Sequence, residues 1–222
     1  LFAYALAAAS LAWGHDSGPE HIESFDTRLE ITDDGALDIG HVIDVHPHGD
    51  EIRRGLFFEL PDDVGPLSDF RASIGGESVE PDFDDGAIVV AAAEPLARHE
   101  THRFEVRYRA ASPWWLESSG TARLRWAPTI EQFELAWRDA SVTLQWPRQA
   151  PPPVLPDAGS VDGNRWTMHL RGPLHESAPD EPVGRLEFRV DASALPSTSV
   201  RRYGEAWTWR ALLAVGLLAL LG

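Results

Sequence analysis

Apolar and polar residues alternate with a period of two through most of the chain, and that period predicts β-strands. Phe25, Thr27, Leu29 and Ile31 fall on one face, with Asp26, Arg28 and Glu30 on the other. Asp33-Asp34-Gly35 then predicts a turn, because glycine accepts the positive φ that tight hairpins demand. The return strand places Leu37, Ile39, His41, Ile43 and Val45 on one face. The same signature recurs at Phe70/Ala72/Ile74 before a Gly75-Gly76 turn. It returns after an Asp84-Asp85-Gly86 turn in the apolar run 87–93, and again at His102/Phe104/Val106/Tyr108. Later sets are Ala122/Leu124/Trp126, Ala140/Val142/Leu144/Trp146, Trp166/Met168/Leu170 and Leu186/Phe188/Val190.

One polar and one apolar face per strand predicts an all-β fold of antiparallel sheets packed face to face. The expected architecture is an antiparallel β-sandwich, immunoglobulin-like or similar. No convincing amphipathic helix appears in the body, although residues 129–137 could form one short turn. Gln149-Ala150-Pro151-Pro152-Pro153 is stiff and extended, since proline fixes φ and lacks a donor. It either separates two sub-sandwiches or forms a long loop.

The ends break the pattern. Residues 1–13 are apolar and rich in small side chains, with Ala7-Ala8-Ala9 and Ala12-Trp13-Gly14 as places for a peptidase to cut. They read as a signal peptide or signal anchor trimmed of its start. Residues 211–222 carry no polar side chain, and Tyr203, Trp207 and Trp209 precede them as an interfacial aromatic belt would. The run is shorter than the roughly 20 residues a bilayer needs, so it reads as a transmembrane helix cut short. Arg201, Arg202 and Arg210 oppose the positive-inside tendency on this orientation. The expected organisation is a partial signal peptide over 1–14 and an extracytoplasmic β-sandwich over 20–191. A stalk over 192–206 and the start of a transmembrane helix over 207–222 follow.

Composition narrows the partners. The formal net charge is −16, which argues against nucleic acid because phosphates would be repelled at long range. All 19 basic residues are arginine, and they are scattered. There is no cysteine, hence neither a disulfide framework nor thiol chemistry.

Several of these segments carry a family resemblance. They are Ile22-Glu23-Ser24-Phe25-Asp26, Asp34-Gly35-Ala36-Leu37-Asp38-Ile39, Glu51-Ile52-Arg53-Arg54-Gly55-Leu56 and Leu60-Pro61. In this order they resemble the start of the YciQ-like predicted membrane proteins. The strand 103–110 adds to it, as do Leu124-Arg125-Trp126 and Trp137-Arg138-Asp139-Ala140-Ser141-Val142-Thr143-Leu144. Two departures stand out. Phe57-Phe58-Glu59 follow the glycine where the family commonly has Tyr-Arg-Asp, and residues 128–135 lie where it often has a glycine. The resemblance implies a signal peptide, an all-β outer domain and then transmembrane helices. It implies no established activity.

Chemistry is sparse. His46-Pro47-His48-Gly49-Asp50-Glu51 gathers metal-competent groups in one loop, of the kind that suits zinc, copper or nickel. Neighbours on a Pro-Gly turn cannot easily converge on one point, so this loop alone is expected to bind zinc or nickel weakly. A further ligand would have to come from elsewhere, and His41, the nearest, faces inward. His99-Glu100-Thr101-His102 is one residue short of a zincin motif, and in a strand its two imidazoles face opposite ways. His41 and His102 fall on apolar faces, as core histidines do. Asp33/Asp34, Asp62/Asp63 and Asp84/Asp85 could bind calcium, but two of these pairs precede glycine as ordinary turns do. Trp114-Trp115 follows Pro113 in an expected loop and is the best candidate for an exposed sugar-stacking platform. Trp126 and Trp146 take inward positions. No G-x-S-x-G elbow, phosphate-binding glycine loop, H-E-x-x-H or nucleophilic cysteine occurs.

The reading is a membrane-tethered extracytoplasmic domain that binds or assembles, with no catalytic residues, no cofactor and no metal of its own. Arg53, Arg54, Trp114 and Trp115 are its candidate ligand contacts. Its expected partners are the lipid bilayer, through the C-terminal helix, and envelope proteins or glycans. The alternatives are a carbohydrate-binding module and a metal- or carboxylate-dependent envelope hydrolase.

Overall fold

The clearest alternation becomes the centre of the largest sheet. Strands β1 (His21–Ile31) and β2 (Leu37–His46) form a hairpin around Gly35, whose φ is 76°. In the computed structural model of the chain, the described residues are 20–48, 52–60, 64–84, 87–126, 136–172 and 185–202. The signal peptide, the transmembrane start, Gly49, Asp50, Glu51, Asp62, Asp63, Asp85-Gly86 and residues 129–135 of the expected short turn lie outside them, while Ala136 and Trp137, the end of that expected turn, are in a strand.

The remaining strands are β3 (Gly55–Glu59), β4 (Leu67–Ile74), β5 (Glu77–Val79), β6 (Asp82–Asp84) and β7 (Ala87–Ala91). Next come β8 (His102–Ala110), β9 (Trp114–Leu116), β10 (Thr121–Trp126) and β11 (Ala136–Gln145). The last are β12 (Ser160–Asp162), β13 (Arg165–Arg171), β14 (Leu186–Asp191) and β15 (Val200–Arg202). They build an eight-stranded sheet in the order β12-β13-β11-β1-β2-β8-β4-β5, a four-stranded sheet β14-β10-β9-β15 and a three-stranded sheet β3-β7-β6. None of the sheets is closed. The fold is all-β, as the alternation requires.

The expectation of purely antiparallel pairing needs correction. β1 runs parallel to β11, and β15 parallel to β9. A parallel neighbour beside a hairpin needs a long crossover, and the chain between β2 and β11 supplies it.

Inward residues of all three sheets share one core. Phe25, Leu29, Leu37, Ile43 and Val45 are almost fully buried, while Asp26, Arg28 and Asp38 are exposed and Glu30 is half-buried. Trp166 of β13 meets Phe188 of β14 edge-on at 5.3 Å, and His41 of β2 lies over Trp126 of β10 at 6.2 Å. These pairs hold the four-stranded sheet against the eight-stranded one. Phe70 of β4 meets Phe83 of β6 at 4.7 Å and joins the third sheet to the same body.

Residues 192–202, expected as a stalk, are part of the fold. Two 3-10 turns, Ala192–Ala194 and Ser197–Ser199, lead into β15, and Ser199 is buried. Among the described residues no helix is long and apolar enough to cross a membrane.

Candidate functional site

One end of the eight-stranded sheet collects histidines. His46 closes β2 on the outward face, because the alternation that turns Val45 inward turns His46 out. His48 follows beyond Pro47. A register shift between Ile22 and Ser24 in β1 inserts an extra residue, so His21 shares the face of its cross-strand partner His46. The two rings stack at 5.4 Å, and His21 Nε2 lies 3.1 Å from Glu23 Oε2.

His99 comes from the connection between β7 and β8. Its φ of 62° is left-handed, which histidine adopts more readily than most side chains. Its backbone N–H donates to the Pro47 carbonyl at 2.9 Å and ties that connection to the end of β2. The His99 ring therefore meets His48 edge-on at 4.5 Å, with His46 at 6.4 Å. One ring nitrogen from each of His46, His48 and His99 lies within 4.8 Å of the other two. The backbone N–H of His48 donates to Glu20 Oε1 at 2.9 Å, fixing the loop from the other side.

The sequence set His99 beside His102 as two imidazoles that do not converge, and gave no sign of the convergence of His99 with His46 and His48. His102 sits half-buried at the start of β8, and its Nε2 is 2.9 Å from the Ala97 carbonyl, so it does not join the cluster. It is less enclosed than a core histidine. The signal for His99 is the backbone bond to Pro47, which joins positions distant in sequence.

His41 is a core histidine, as expected. Its Nδ1 is 3.0 Å from Thr27 Oγ1 and its Nε2 is 3.0 Å from Tyr108 Oη, all three buried. Burial pushes the imidazole pKa down to about 3 and the Tyr108 phenol up, so both stay neutral.

The other candidates separate. Trp114, expected in an exposed loop, lies in β9 and is fully buried, its Nε1–H donating to the Gly35 carbonyl at 2.9 Å. Trp115 is half-buried, with the Arg201 guanidinium 4.0 Å from its ring centre. The pair cannot present two open faces to a sugar. Arg53 and Arg54 are exposed in the bend before β3, where their carbonyls accept from Leu96 and Ala92. The structure brings neither arginine to the tryptophans.

Three carboxylates at the large sheet, those of Asp34, Asp38 and Asp44, are held by arginines. Arg103 grips Asp44 with two bonds of 2.8 Å and holds its pKa below the usual carboxylate range. Arg109 bridges Asp34 and Asp38 at 2.6 and 2.7 Å. A groove of about 720 Å³ lies at the opposite end of β11, lined by Gln145, Trp146, Arg148, Asp162, Asn164 and Arg165. It is of ligand size, but Trp146 buries its ring and offers no stacking face.

The family described as "Predicted membrane protein (DUF2207) N-terminal domain" matches residues 21–199. No curated protein matches the chain. Among solved structures, yeast LTA4 hydrolase is similar at 12% identity and a TM-score of 0.49, over 77% of this chain and 29% of that one. An M1 zinc metallopeptidase from Deinococcus radiodurans is similar at 15% identity and a TM-score of 0.46, over 77% and 42%. The chain thus spans less than half the length of either, and likeness this distant carries no activity across.

Proposed function

The chain belongs to the DUF2207 family of predicted membrane proteins, whose N-terminal domain it carries over residues 21–199, and from that premise we propose that this domain stands outside the membrane and works by binding or assembly, without catalysis of its own. The observation that supports this is the engagement of its polar side chains. His41 is enclosed between Thr27 and Tyr108, Asp44 is held by Arg103, and Asp34 and Asp38 are held by Arg109. Each is tied into the framework, whereas catalysis needs an acid or base poised beside an open site. The groups that do converge at the surface are three imidazoles. Three imidazoles make a ligand set, and among the described residues the carboxylate beside them, that of Glu20, is engaged by the His48 backbone N–H.

The acidic surface supports a partner that is neutral or cationic. Envelope proteins and glycans meet that condition. The glycan reading rests on the groove beside Trp146, whose polar lining suits hydroxyl groups.

Protease accessibility in intact cells tests the placement. The full protein, tagged at its far end, should lose this domain to externally added protease once any outer barrier is permeabilised. A domain cut only after the inner membrane is lysed would end the extracytoplasmic reading. Crosslinking on intact cells then tests the role, with recovery of a discrete adduct expected. Hydrolysis of envelope material by the purified protein would overturn the noncatalytic reading.

A further inference from the structure

We propose that His46, His48 and His99 form a transition-metal site that takes zinc or nickel through three imidazole nitrogens, leaving a fourth position to water or to a partner's side chain. The inference deepens the binding role above and rests on it for its biological meaning, not for its chemistry.

Geometry comes first. Tetrahedral zinc holds its nitrogen ligands at about 2.0–2.1 Å, which sets them roughly 3.4 Å from one another. The three ring nitrogens lie within 4.8 Å of one another, so modest side-chain rotation closes the set. Their backbones need not move. His46 is fixed by the β2 ladder, His48 by the bond to Glu20, and His99 by the bond to the Pro47 carbonyl. The difficulty of a loop acting alone, with all ligands on one flexible turn, is removed because the third imidazole arrives from a separate segment.

A second observation points to a ligand. His48 Nε2 is buried, and no hydrogen-bond partner for it lies among the described residues. Buried polar atoms without partners are rare in folded proteins, and a bound cation is one of the things that satisfy them. The other ring of the pair, His99, is exposed, so an ion has a route in from solvent.

Chemistry sets the class. A set made only of imidazole suits zinc, nickel and copper and is poor for magnesium or calcium, which prefer oxygen. The His21 ring, itself joined to Glu23, stacks on the His46 ring and packs against one face of that ligand. The acidic surface raises the local concentration of any divalent cation.

The test uses the 222-residue chain in detergent, stripped with a chelator and titrated with zinc and separately with nickel by calorimetry. Saturable binding of one ion per chain is expected. His99→Asn keeps a residue that tolerates left-handed φ and should weaken binding by at least about tenfold to a hundredfold. His48→Asn should do the same, and His102→Asn should leave the affinity unchanged. Circular dichroism of each variant should match the parent, confirming that the fold is intact. Failure of the parent to bind saturably, or binding by His99→Asn as tight as the parent's, overturns the proposal. Neither result alters the protease and crosslinking outcomes, so loss of this site and loss of the binding-domain reading are told apart.

Discussion

His41 and Tyr108 face each other across the β2–β8 pair, imidazole Nε2 to phenol oxygen at 3.0 Å, with both side chains removed from water. Thr27 completes the group from β1. Three polar side chains on three adjacent strands thus satisfy one another inside an apolar face. Each carries a group whose burial without a partner costs about 1–3 kcal/mol.

The first prediction concerns acid. An unfolded chain protonates His41 near pH 6.5, whereas the buried imidazole resists protonation until about 3. The unfolded state therefore binds more protons between these values, and stability rises with pH across that window. The contribution is complete above 6.5 and is lost as pH falls toward 3. Asp34 and Asp44 have lowered pKa values, so their contribution is lost only below the carboxylate value of 3.8. Urea melts of the parent should lose up to about 1.4 kcal/mol per pH unit in the upper window. His41→Gln should lower stability at neutral pH and flatten that slope. An equal slope in parent and variant would show that His41 is not the proton-linked group.

The second prediction tests register. Leu29 is fully buried and lies opposite Ile39 on one side and Leu144 on the other. Leu29→Asp strands a charge there and should cost more than about 3 kcal/mol, enough to unfold the domain. Asp26→Asn, on the exposed face, should cost less than about 0.5 kcal/mol. Chemical denaturation of both variants decides it, because a slip of one residue would exchange the two results.

Much of this was legible because alternation is a local property. The inward set from Phe25 to Val45 follows from residue type alone, as do the buried Trp126, Trp146 and Trp166. What alternation does not carry is which strand lies beside which. The parallel partnership of β1 with β11 leaves no mark on either strand's pattern. The irregularity between Ile22 and Ser24 also hides, since it changes the face of His21 without changing composition. Trp114 resembled a loop residue through Pro113, yet its Nε1–H bond to Gly35 draws it into the core. The histidine cluster was half visible. His46 and His48 are neighbours in sequence, while His99 arrives through a backbone bond that no motif encodes.

The third prediction concerns Gly35. Its φ of 76° favours glycine, and a Cβ there would approach Ser199 Oγ to 2.5 Å and Pro196 Cδ to 3.0 Å. Its carbonyl also accepts from Trp114. Gly35→Ala should therefore cost at least the roughly 1–2 kcal/mol of left-handed strain. Relief of the contact would displace the 196–199 segment as well. Ser199→Ala removes the crowding oxygen, so Gly35→Ala should cost less in that background than in the parent. A double-mutant cycle with no coupling would mean that the segment does not pack on the turn.

The last prediction follows from the same contact and concerns where the folded unit ends. Composition alone places the boundary near residue 191, because Pro196 and the serines and threonines around it resemble a linker. The structure continues the unit further. Asp191 accepts from the backbone and hydroxyl of Ser193, and Ser199 is buried and bonded to the Pro196 carbonyl. β15 adds a parallel strand to β9, pairing Val200 with Trp114. Removing these residues would leave β9 with a bare edge and open the cover over Gly35 and Trp114. A fragment of residues 20–202 should be folded, and one of residues 20–191 should be less stable by about 1–3 kcal/mol. Hydrogen exchange gives the local readout. The Trp114–Leu116 amides and the Trp114 indole N–H should exchange faster in the shorter fragment, while those of β1 and β2 keep their protection. Equal stability and equal exchange at Trp114 in the two fragments would return residues 192–202 to the status of a tether.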